Sequence, residues 1–182
     1  DRRAGLPNMC HAPSSTARWI MMSVDLFLAA AIAEAERGRA EGGIPIGAVL
    51  VHRGSILGRG HNRRVQQGSA ILHGEMDCLN NAGRIGSYKG TIIYSTLMPC
   101  YMCAGTIVQF KIKKVVVGAS RTFPGAKDFM EQHGVEVIDL DLQQRPRFGV
   151  ECGLPQLVRV HLAQTLVALQ RQTLLTLGQD GF

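Results

Sequence analysis

The chain has 182 residues, 46% of them hydrophobic and 19% charged, with a formal net charge of +6. This length fits one domain with extensions and allows a sizeable core, and the composition is that of an ordinary soluble globular protein. The longest apolar stretch, around Val24 to Ala33, contains Asp25 and is too short to span a bilayer, so no membrane partner is expected.

Residues 1–18, with Pro7, Pro13, Ser14 and Ser15, show no periodicity and read as a disordered arm. No charged segment followed by an apolar one opens the chain, so a secretory signal is not expected and the cytoplasm is the expected location. Over residues 19–39, Ile20, Val24, Phe27, Leu28, Ala31, Ile32 and Ala35 recur at three- and four-residue steps, which predicts a helix. Glu41-Gly42-Gly43-Ile44-Pro45 breaks it. Residues 46–52 and 55–60 read as two strands of a hairpin turning at Arg53-Gly54. A loop runs to Ile71, and residues 73–82 fit a short helix. Residues 91–96 form a β-branched run, hence a strand. Then follow a helix over 100–110, a strand over 114–118, a helix over 127–133 and a strand over 135–140.

Strands alternating with helices after an opening hairpin predict an α/β fold with helices on both faces of the sheet. The later strands, joined by helices, should be parallel. From Gln143 the texture changes. After a break at Arg145-Pro146-Arg147-Phe148-Gly149, residues 154–177 are rich in Leu, Val, Gln and Thr and read as one or two helices. The chain thus divides into an arm (1–18), a central domain (19–142) and an atypical C-terminal tail (143–182).

Charge is spread unevenly along these parts. Residues 19–142 hold 13 basic and 11 acidic side chains, so most of the +6 lies in the flanks. Lys111-Ile112-Lys113-Lys114 leads directly into an apolar strand and reads as a solvated corner, so a nucleic-acid partner is not expected. Five cysteines are an odd number without a secretory signal, which argues against a disulfide framework and for a metal-binding or redox-active Cys-x-x-Cys.

That pair is Cys100 and Cys103, behind Pro99, with His73-Gly74-Glu75 upstream and 24 residues between Glu75 and Cys100. Pro99 at a first-turn position sets Cys100 at a helix N-terminus and Cys103 one turn on, where the helix dipole stabilises thiolates. His73 opens the other helix. Three ligands, His73, Cys100 and Cys103, leave the fourth tetrahedral position of a zinc ion open for water, as in a catalytic site. The spacing is that of zinc-dependent base deaminases. Zinc brings the pKa of a bound water down from about 15.7 toward roughly 7. Glu75, not a ligand, would take the proton, pass it to a ring nitrogen and then protonate the departing amine. A closed structural site would instead take its fourth ligand from His52, His61 or Cys78.

With Gly58-Arg59-Gly60-His61-Asn62 and Glu41-Gly42-Gly43-Ile44-Pro45-Ile46-Gly47, these motifs resemble the fungal-type cytosine deaminases of the cytidine deaminase-like superfamily. The resemblance covers residues 19–142. It implies a three-layer α/β/α sandwich around a mixed sheet of about five strands, one Zn2+ per chain, and a homodimer. It implies hydrolysis of a small-molecule nucleobase, cytosine to uracil and ammonia, in pyrimidine salvage. It assigns zinc to His73, Cys100 and Cys103, proton transfer to Glu75, and the pyrimidine to Asn62, the Gly74 backbone and Phe123. Asn62 suits a base edge because its amide both donates and accepts; the alternative is a turn-forming residue after a strand. Phe123 is either pocket wall or core.

Two departures stand out. Met98 replaces a small polar or acidic residue, and nothing after Gln143 resembles the family's C-terminal segment, which closes the pocket. Met102-Cys103-Ala104-Gly105 and Ile44-Pro45-Ile46-Gly47-Ala48 also look like tRNA adenosine deaminases. A zinc-stabilised, inactive scaffold or dimer partner is a third reading.

Overall fold

The protein is described here by a computed structural model covering residues 15–142 together with Thr165, Ala168 and Leu169, with side chains from Leu26 onward. The arm expected before Ser15 lies outside the described residues. So do the helices expected over 154–177, apart from the three named residues, which are helical.

Helix α1 spans Ser15–Ala40. It begins at Ser15 rather than Trp19, since nothing between Ser15 and Arg18 interrupts helical backbone. Strands β1 (Gly47–His52) and β2 (Ser55–His61) pair antiparallel. Their two-residue connection has positive φ at both Arg53 (48°) and Gly54 (78°), the conformation that matches the twist of the flanking strands. A four-residue helix α2 (Arg64–Gln67) lies where only loop was expected, because one turn is too short to show periodicity. Then come α3 (Gly74–Ala82), β3 (Thr91–Ser95), α4 (Tyr101–Gln109), β4 (Lys114–Val117), α5 (Lys127–Gln132) and β5 (Glu136–Asp139).

The sheet order is β2-β1-β3-β4-β5. β1 is antiparallel to β2 and β3, while β3, β4 and β5 run parallel, so the sheet is mixed. Side-chain alternation sorts the strands' residues onto two faces. Val49, Val51, Tyr94 and Val116 pack under Leu28, Ala31, Ile32 and Ala35 of α1. Ala48, Leu50, Ile93, Val115 and Val117 pack on the other side with Cys78 and Leu79 of α3, Ala104 and Ile107 of α4, and Met130 of α5. Helices cover both faces, giving three layers. Burying a Leu, Ile or Val completely contributes about 1.5–3 kcal/mol, so these two clusters hold the layers together. Leu169 is 3% exposed and belongs to the α1 cluster. No helix among the described residues is long and apolar enough to cross a membrane.

Glycines let the helices approach the sheet closely. A Cβ at Gly60 of β2 would collide with the main-chain nitrogen of Cys78, and one at Gly58 would lie 2.5 Å from the Cys78 carbonyl oxygen. Helix α3 therefore rests directly on the β2 backbone. This contact fixes where the α3 N-terminus, and so His73, is presented.

Candidate metal centre and active site

Three connections bring the motif residues together. His73 is the N-cap of α3 and Cys100 the N-cap of α4, both with extended backbone (φ −67°, ψ 166° and φ −71°, ψ 173°). Neither side chain caps its own helix; the two face each other instead. Pro99 thus precedes the N-cap rather than occupying the first turn, a correction to the expected position that leaves Cys100 at the helix start. The segment before Cys100 is strapped down: Thr96 N donates to Gly47 O (3.0 Å), Met98 N to Ala119 O (3.0 Å) and Ala126 N to Pro99 O (2.9 Å).

Cys100 Sγ lies 3.4 Å from His73 Nδ1 and 3.7 Å from Cys103 Sγ, and Cys103 Sγ lies 3.7 Å from His73 Nδ1. Zn–S bonds of about 2.3 Å and a Zn–N bond of about 2.0–2.1 Å at tetrahedral angles require edges of roughly 3.8 and 3.6 Å. The triangle fits zinc, and its soft sulfur donors suit that ion. Among the described residues no other His, Cys, Asp or Glu joins this group. The three candidates for a fourth ligand are engaged elsewhere. His52 pairs with Thr91 at the far end of β1, His61 faces Glu34 and Glu41, and the Cys78 thiol donates to Gly58 O at 3.4 Å.

The N-terminal dipoles of α3 and α4 both point into this centre and favour anionic sulfur. The Cys100 thiol is pulled down to about 3, first by the hydrogen bond it shares with Cys103 and then by His73. The same bond, with burial, pushes the Cys103 thiol up. The two sulfurs are thus a coupled pair in which the Cys100 side is the more readily ionised. The bond to Cys100 raises His73 above the usual imidazole value.

Glu75 is 3% exposed, and Ser95 Oγ donates to its Oε1 at 3.0 Å. Burial pushes its carboxyl above the ordinary range, and the Ser95 bond opposes that shift. A buried carboxyl held beside the metal ligands is placed for general acid–base work. Sequence reasoning missed Ser95. The available signal was a polar residue closing an apolar strand shortly before the Pro-Cys motif.

Asn62 and Gly74 converge on one point. Ile46 O accepts the Asn62 N–H at 2.8 Å, and a Cβ on Gly74 would lie 2.9 Å from the same oxygen. Asn62 is 2% exposed, and its Oδ1 accepts the Arg64 N–H at 3.1 Å. Its oxygen makes the turn expected of an Asn after a strand, and its amide nitrogen makes no hydrogen bond among the described residues. Phe123 is 36% exposed, follows β4 in a turn closed by its N–H to Ser120 O (3.1 Å), and belongs to neither core cluster. The core alternative for Phe123 is therefore removed.

Residues 21–119 match the family model of the cytidine and deoxycytidylate deaminase zinc-binding region. The chain belongs to this deaminase family. The deaminase is 45% identical over 120 residues to the cytosine deaminase of Candida albicans, covering 64% of this chain and 80% of that protein. It is 36% identical over 149 residues to a tRNA-specific adenosine deaminase of Streptococcus pyogenes, covering 80% of this chain and 91% of that protein. It resembles a chain solved in work on A-to-I editing by tRNA:A34 deaminases, with a TM-score of 0.55 and 27% identity over 63% of this chain and 96% of that one. The mixed five-stranded sheet with flanking helices is the cytidine deaminase-like α/β fold, and the deaminase is a zinc-binding one.

Proposed function

We propose that this deaminase hydrolyses a free pyrimidine base, cytosine plus water giving uracil plus ammonia, in pyrimidine salvage. The observation that carries the reading is the three-ligand triangle with a buried, non-ligating Glu75 held beside it by Ser95. Zinc held by His73, Cys100 and Cys103 supplies the Lewis acidity that makes a water nucleophilic at neutral pH. Glu75 accepts the proton of that water and delivers it to the ring nitrogen next to the amine-bearing carbon. Oxygen adds to this carbon, Glu75 moves a second proton to the exocyclic nitrogen, and the C–N bond breaks to release ammonia.

Asn62 Nδ2 is a donor for the base carbonyl, since its Oδ1 is already held by Arg64. The Gly74 N–H, in the first turn of α3, has no intrahelical acceptor and offers a second donor. Phe123 supplies an aromatic surface on the loop after β4. Support for the free base comes from the higher identity to the Candida enzyme and from the near-balanced charge of residues 19–142. A basic groove for a flipped nucleotide and its neighbours would need more.

The second reading is adenosine in tRNA, favoured by relatives that match a larger share of the chain. Ammonia release should be measured from cytosine, cytidine and guanine, alongside inosine formation in a tRNA anticodon stem-loop. Reaction of cytosine alone supports the proposal; inosine formation without cytosine turnover replaces it with the second reading. A homodimer in the cytoplasm is part of the proposal, and light scattering at the mass of two chains is the result it requires.

A further inference from the structure

A buried imidazole flanked by two acids immediately precedes Asn62 in the chain. His61, the last residue of β2, is 2% exposed. Its Nδ1 lies 3.3 Å from Glu34 Oε2 and its Nε2 lies 2.9 Å from Glu41 Oε2, so an acid anchors each side of the ring. Glu34 belongs to α1, and Glu41 follows its last residue. Arg37 braces both acids, at 3.9 Å from Glu34 and 3.5 Å from Glu41. Gly38 lies flat against the imidazole, where a Cβ would come within 3.0 Å of the ring.

The main chain of His61 is tied in the other direction. Its N–H donates to Asp77 Oδ2 at 3.1 Å, and Asp77 is 3% exposed on α3. The Asp77 N–H in turn donates to His73 O at 2.9 Å. Arg63 Nε lies 3.8 Å from the same Asp77 oxygen and 3.5 Å from His61 Nε2. A continuous chain of contacts thus runs from α1 through His61 and Asp77 to His73, and Asn62 is the residue that directly follows His61.

Apolar residues of similar volume would often make a more stable interior than a buried imidazole and carboxylate, so such a contact is a candidate for fixing register rather than for adding stability. We propose that His61, clamped by Glu34 and Glu41 and tied through Asp77 to His73, is a positioning residue that holds the Asn62 amide at a set distance from the metal centre. The inference rests on the reading of Asn62 as the residue that binds the base. His61 itself touches no substrate and acts through its neighbour.

The test is a double-mutant cycle of His61→Phe and Asn62→Ala in the full chain, assayed with cytosine, with zinc content measured for every variant. His61→Phe should lower kcat/KM about tenfold, mainly through KM, with one zinc retained per chain. In the Asn62→Ala background the same change should cost less than about twofold. Multiplicative losses in the two backgrounds, or an unchanged kcat/KM, overturn the proposal. Glu41→Gln removes one clamp at a half-exposed position and should give a smaller loss of the same kind. Amide exchange by NMR provides a readout without turnover. His61→Phe should speed exchange of the Asn62 N–H at least tenfold while α4 keeps its protection; unchanged Asn62 protection overturns the positioning role. A wild-type chain that deaminates no base, yet shows the exchange result, would remove the functional reading and leave the clamp standing.

Discussion

Ser95 Oγ donates to Glu75 Oε1 at 3.0 Å, joining the end of β3 to the first turn of α3 through two buried side chains. The bond fixes the carboxyl beside the metal triangle without committing it to coordination. Replacing Glu75 by Gln keeps the shape and removes the proton acceptor. Turnover should fall by about 10²–10⁴-fold, the usual worth of general acid–base catalysis. Metal analysis should still find one zinc per chain; loss of zinc would make Glu75 a ligand and sink the assignment. Ser95→Ala leaves the carboxylate with one donor fewer, and a smaller loss in kcat at unchanged zinc content is expected.

Zinc competes with protons for the side chains of His73, Cys100 and Cys103. Cys103 is pushed up by sharing its proton with Cys100, and His73 is raised by the same thiolate. Both must be deprotonated to ligate. Affinity should therefore weaken as pH falls, by up to about tenfold per pH unit for each proton displaced. Calorimetric zinc titrations in buffers of different ionisation enthalpy count those protons directly. A titration at neutral pH that releases none contradicts ligation by these three side chains.

Much of this site was legible from spacing, because its parts are local. A His two residues before a Glu, and two cysteines three apart, take up fixed relations once each starts a helix. Their meeting is harder to read: it depends on α3 seated on β2 and β1 bringing its start to the end of β3, which the strand order sets. Ser95 and Asp77 were invisible for that reason. Each is an ordinary residue in its own element and gains a function only through a partner 20 or 16 positions away. β3 announced itself by a β-branched run and the β1–β2 hairpin by its turn at Arg53-Gly54, whereas α2 is a single turn and carries no periodic signal.

Gly60 is a test of how tightly α3 must sit on β2. Alanine there would place its Cβ against the Cys78 main chain, with no flexible side chain to give way. Forcing volume into such a contact typically costs about 1–3 kcal/mol, and backbone neighbours place this site at the upper end. Urea melts at fixed zinc should show the loss. Because the same displacement shifts the helix that presents His73, zinc affinity should fall as well. Gly60→Ala with wild-type stability and zinc affinity would mean that the two elements are free to separate.

Among the described residues of the C-terminal region, Leu169 is the one that joins the core. Its side chain packs with Leu28, Val49, Val51 and Tyr94 on the α1 face of the sheet. The helices that carry the metal ligands lie on the opposite face. Leu169→Ala should therefore cost about 2–5 kcal/mol of stability, as buried leucine truncations do. The same variant, assayed well below its melting point, should keep its zinc and its kcat/KM, since no ligand or proton-transfer residue touches that cluster. A large fall in activity at unchanged melting temperature would instead tie the tail to the substrate side of the sheet and contradict the placement of Leu169.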